Sequence, residues 1–177
     1  MFHAKTKYAK IAFETILFYV STGEIKKKER AKISPDLRLK RACVVSIFDN
    51  ENNLRGRKGS IFPQTSTLYE EIIKNSIDAA VHDNDFKPLT NNDLNSIKVK
   101  VDVLSTPQRV ESFEDIKPQK HGLYVTGPEG QKGFILPGTK GIKTTGQFLE
   151  AAKNAAGITQ EGNKNLEYSF FKIASYE

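Results

Sequence analysis

The 177-residue chain contains one cysteine, one methionine, three histidines and no tryptophan. A lone thiol cannot close an internal disulfide. Cys43, set in an apolar, strand-like run, therefore reads as a buried structural thiol and points to a reducing cytoplasm. The apolar run Ile16–Val20 is too short to cross a bilayer, and Lys5, Lys7, Lys10 and Glu14 interrupt the residues before it. It is not followed by the small-residue cleavage site of a secretory leader, so no membrane partner is expected. No repeat of fixed period is present, which excludes a solenoid. Metal-ligand spacing is also lacking. His82, Asp83 and Asp85 share one loop without further ligands, and we assign neither metal nor cofactor.

Hydrophobic residues make up 38% and charged residues 27%, as in an ordinary soluble globular chain. The length suits a single domain over residues 1–177, or two close lobes sharing one core. The net charge of +6 favours an anionic partner. Lys26, Lys27, Lys28, Arg30 and Lys32 form one basic run, which reads as a solvated turn and edge strand. Arg38, Lys40, Arg41, Arg55, Arg57 and Lys58 flank a hairpin further on.

Periodicity gives a mixed order of elements. Tyr8, Ile11, Ala12, Thr15, Ile16, Tyr19 and Val20 recur at helical spacing and Gly23 stops them. Ala42–Phe48 and Leu54–Phe62 form a hairpin around the polar loop 49–53. Thr67 and Glu70 have capping-box spacing ahead of an apolar stripe that ends near His82. A short helix is expected from Thr90, then an alternating, half-buried strand over Lys98–Ser105. His121–Thr126 and Phe134–Leu136 form a second hairpin around GPEGQKG, which reads as a turn and lacks a phosphate-loop pattern. A helix over Thr145–Ala156, stopped by Gly157, and a closing strand over Leu166–Ile173 complete the chain. This order implies an α+β fold with a largely antiparallel sheet and flanking helices.

The densest chemistry lies in LRGRKGSIFP, residues 54–63. Gly56 and Gly59 would weaken a plain strand, so they predict a bulge, a positive φ, or close approach by another backbone or a ligand. Arg55 and Arg57 beside such backbone suit a phosphate or carboxylate, because a guanidinium donates two parallel hydrogen bonds. His121, beside Gly122 at a strand start, is the remaining acid-base candidate.

LRGRKGSIFP, EEIIKNSIDAAVHDNDFKPL, VKVDVLS, KHGLYV, GFILPG and AAKNAAGI together resemble the AMMECR-type family in content, order and spacing. The resemblance implies an α+β fold of two unequal lobes sharing one domain, around an antiparallel, partly barrel-like sheet. It also implies a cleft at the glycine-rich motif, with Arg55, Gly56, Arg57, Lys58, Gly59, Asp85, Phe86, His121 and Gly122 as binding candidates. The bacterial form it is most similar to is associated with Memo-like and radical-SAM proteins, which are expected as partners. Family members usually read LRGCIG; here Arg57 replaces the cysteine, a candidate nucleophile, and Lys58 an apolar residue. A guanidinium cannot replace a thiolate in covalent catalysis. Asp85 replaces a family cation, which suggests that Arg57 and Asp85 pair.

These residues support an accessory domain that binds an anionic small molecule or a protein partner. One alternative is a transferase or hydrolase of a radical-SAM-linked pathway, which requires His121 and Asp83 to meet in one pocket. The other is an RNA-binding protein, for which basic charge is present but no aromatic platform motif.

Overall fold

The computed structural model describes residues 4–25, 32–158 and 165–177. The elements run α1 (Lys7–Thr22), β1 (Cys43–Phe48), β2 (Leu54–Gly59), α2 (Leu68–Val81), β3 (Lys98–Leu104), β4 (Gln108–Arg109), β5 (Gly122–Thr126), β6 (Lys132–Ile135), α3 (Thr145–Ala155), β7 (Glu167–Phe171) and β8 (Ile173–Tyr176). Short polar side chains start each helix. The Oγ1 atoms of Thr6, Thr67 and Thr144 accept from the backbone amides of Ala9, Glu70 and Gln147, which satisfies donors that have no partner within the helix. At the other end of α1, Gly23 takes φ 75°, the left-handed conformation that a glycine accepts at a helix stop.

The strands form two four-stranded sheets with orders β2-β1-β3-β8 and β4-β7-β5-β6. The pairings of β1 with β2 and β3, and of β7 with β4 and β5, are antiparallel, as is β5 with β6. The α+β class holds, but neither sheet closes, so the partly barrel-like sheet expected above is two open ones. The cause lies at the C-terminal end. The expected single strand over 166–173 breaks at Lys172 into β7 and β8, and each half joins a different sheet.

By contacts the chain divides into two compact units, Met1–Val103 with Ala174–Glu177, and Leu104–Ile173. In the first, α1 and α2 cover one face of the first sheet, burying Ile16 and Ile72 with Val45, Ile47 and Val101. Each large aliphatic side chain removed from water contributes about 1.5 to 3 kcal/mol. In the second, Phe148 and Ala152 of α3 pack with Leu123 and Val125 of β5.

Two local expectations change. The segment from Thr90 is a hydrogen-bonded turn and not a helix: Asp93 Oδ2 accepts from both the amide and the hydroxyl of Thr90, at 2.7 Å each. Both bonds close the turn on itself. The strand Lys98–Leu104 is more buried than its alternation implies, with Asp102 only 1% exposed. Of the first basic run, Lys26, Lys27, Lys28 and Arg30 lie outside the described residues.

Candidate functional site

The hairpin of β1 and β2 is built by short-range polar chemistry. Asp49 Oδ1 accepts from the amides of Glu51 and Asn53, closing the turn through Asn52 at φ 66°. Ile47 then pairs with Gly56 but Phe48 with Leu54, so Arg55 is an extra residue and β2 bulges there. Gly56 follows at once. A Cβ on it would lie 2.0 Å from the Ala79 carbonyl oxygen, so β2 runs directly against the backbone of α2. Of the options raised by the sequence, the bulge and close approach by backbone are realised, and neither Gly56 nor Gly59 has a positive φ.

That contact brings the loop after α2 to the hairpin. Asp83 Oδ2 accepts from the backbone amide of Arg57 at 2.7 Å, while its Oδ1 accepts from Asp85 N at 3.0 Å. The expected Arg57–Asp85 ion pair does not form; Asp83 is the carboxylate that reaches β2. Asp85 is exposed and Phe86 half-buried in the same loop. Arg55, the bulged residue, lies 4.0 Å from Asp93 at partial exposure, a pair worth about 0 to 1 kcal/mol. Lys58 pairs with Val45 in the register, on the strand face opposite Arg57.

Arg57 differs from these. Its Nε donates to Ser46 Oγ at 3.1 Å, and Ser46 is 1% exposed. Its terminal nitrogens carry no protein hydrogen bond or ion pair among the described residues. Partial burial lowers the guanidinium pKa, and the charges of Asp102 and Asp83 oppose that shift.

The register continues the polar row. Ser46 faces Lys100 and Val44 faces Asp102, so Arg57, Ser46, Lys100 and Asp102 share one face of three adjacent strands. Asp102 Oδ1 takes Lys100 Nζ at 3.1 Å and the Ser175 hydroxyl of β8. Asp102 Oδ2 is buried without a partner. Leaving such an acceptor dry and unpaired costs about 1 to 3 kcal/mol. Behind the hairpin, fully buried Glu71 accepts through Oε2 from the amides of Gln64 and Thr65 and the Thr65 hydroxyl, at 2.9 Å each. It fastens the segment that follows LRGRKGSIFP to α2.

A family model described as AMMECR1 matches residues 9–176. The chain belongs to the AMMECR1 family. It is 35% identical over 92% of its length to "Protein CA_C1420" of Clostridium acetobutylicum, of which it spans 34%. It is 30% identical to a Thermotoga maritima protein, covering 96% of this chain and 97% of that one. Among solved structures, the uncharacterized protein PH0010 from Pyrococcus horikoshii superposes with a TM-score of 0.85 at 24% identity, over 95% of this chain and 88% of that one. That likeness shows the fold.

Against the LRGCIG pattern expected of AMMECR1-type chains, the altered position is the one with spare donors. Cys43, the sole thiol, is held as a buried, protonated group: burial pushes its pKa up to about 12, only partly offset by Asn75, whose side-chain amide lies 3.6 Å from the sulfur. His121 and Gly122 belong to the second unit. There His121 Nδ1 accepts from Lys117 N at 3.2 Å and its ring lies 5.1 Å from that of Phe170. Partial burial lowers its pKa, helped by Lys172, Lys117 and Lys120. A Cβ on Gly122 would lie 2.2 Å from the Phe171 ring. Both residues carry local packing. No cluster of three or more His, Cys, Asp or Glu side chains suited to a metal occurs among the described residues, and no described helix is long and apolar enough to cross a membrane.

Sequence reasoning passed over Ser46, Asp102 and Glu71. Alternation put Lys100 and Asp102 on one face of β3, but a strand pattern does not say what covers that face.

Proposed function

We propose that this AMMECR1-family domain is an accessory binding module whose glycine-rich hairpin takes the anionic group of a small molecule or of a protein partner. The observation that supports it is the mounting of Arg57. Asp83 holds its backbone, Ser46 holds its Nε, and two terminal nitrogens stay open for a phosphate or carboxylate. Lys100 adds a second cation in the same row. An accessory role accords with the Clostridium relative, of which this chain matches about a third. A Memo-like or radical-SAM protein as the partner rests on the family resemblance.

Calorimetric titration with inorganic phosphate at low salt tests the proposal. Wild type should bind saturably and Arg57→Gln should lose binding. Equal binding by both, or none by either, would refute it. Chromatography on heparin and RNA separates the nucleic-acid alternative, since contacts with many phosphates give steep salt dependence and one bound anion does not.

A further inference from the structure

We infer that the ligand of this face is a small zwitterion, with its anionic group on Arg57 and an ammonium group donating to Asp102. The inference rests on the anion-binding role proposed above and adds the second half of the ligand.

Asp102 carries the argument. Its carboxylate is 1% exposed, and Lys100 and Ser175 both engage Oδ1, leaving Oδ2 without a donor. A carboxylate oxygen can only accept, so its missing partner is an N–H or O–H group. No described protein side chain supplies one. The opposite end is complementary: Arg57 has unused donors and no unused acceptors. The charges of Asp102 and Arg57 act on each other. The row thus holds one cation with unused donors and one buried carboxylate with an unused acceptor, on a single sheet face and within a single compact unit.

A ligand with only a phosphate or carboxylate would satisfy Arg57 and add a negative charge near Asp102. One with an ammonium as well satisfies both and adds little net charge. A hollow of about 260 Å³ lies along the same sheet, lined by Phe48, Asn52, Lys98, Val99, Lys100 and Glu177. Its lining carries charges of both signs, two lysines and one glutamate, beside one aromatic wall.

O-phosphoethanolamine and monoethyl phosphate differ in the ammonium group, so calorimetry with this pair isolates the Asp102 half. Wild type should bind O-phosphoethanolamine about tenfold more tightly or better, a gap of about 1.4 kcal/mol. Asp102→Asn should erase that preference while keeping affinity for monoethyl phosphate, and Arg57→Gln should lose both ligands. Binding of both by wild type with equal affinity would overturn the zwitterion and leave the anion site standing. Binding of neither would overturn both. The wild-type comparison decides the matter even if Asp102→Asn fails to fold.

Discussion

The two hairpins of this protein use glycine in the same way and polar groups in opposite ways. In the first, Gly56 lets β2 run against the Ala79 carbonyl; in the second, Gly122 makes room for the Phe171 ring. Both would clash if a Cβ were added, so tight glycine packing does not by itself mark a site. The difference lies in what the neighbouring polar side chains have left over. His121 is tied to Lys117 and packed on Phe170, and Gln131 binds Glu129 through both backbone and side chain. Around the first hairpin, Arg57 keeps spare donors and Asp102 a spare acceptor. A site is therefore better recognised by unspent hydrogen-bonding capacity than by unusual backbone.

Substitutions that break this contrast should differ in size. Glu71→Ala should be the most damaging, at about 4 kcal/mol by urea unfolding, because it strands two buried amides and a hydroxyl behind the first hairpin. Gly56→Ala should cost about 3 kcal/mol, since its obstacle is helix backbone that cannot turn aside. Gly122→Ala meets a side-chain ring and should cost less, about 2 kcal/mol; the reverse order would mean that the first hairpin is the more yielding. Gln131→Ala, at an exposed turn, should stay within about 0.5 kcal/mol.

The smallest effect concerns pH. In the folded chain the His121 pKa lies below its ordinary value of 6.5, because burial and three lysines oppose its charge. The unfolded state then binds the proton more tightly. The contribution of His121 is present above about pH 6.5 and is lost as pH falls through the lower folded value. Thermal melts from pH 8 to pH 5 should show that decline, and His121→Asn should flatten it. An unchanged profile in the variant would remove His121 from the account of the second hairpin.

Much of the fold was legible from the chain because its signals are local. Thr67 and the stripe through Ile72, Ile73 and Ile77 mark α2, whose expected end near His82 agrees with a helix that stops at Val81 and is capped by His82. Gly23 and Gly157 mark helix stops, and both take positive φ. One failure was a local ambiguity and the others were non-local. Thr90 and Asp93 have cap spacing, but the same pair closes a turn equally well. The tail over Leu166–Ile173 alternates enough to read as one strand, and its allocation to two sheets divides it. At the site, the sequence drew attention to β2 and to Asp83. It could not show that Asp83 rather than Asp85 reaches Arg57, nor that Ser46 and Asp102 lie in the same row, because strand register is set by pairing across the sheet.

The most direct test is arginine side-chain NMR, following each ¹⁵Nε signal as inorganic phosphate is added at low salt. The Arg57 signal should shift saturably, while Arg55, already beside Asp93, shifts little. Small, linear shifts shared by all arginines would mean that the hairpin has no anion site.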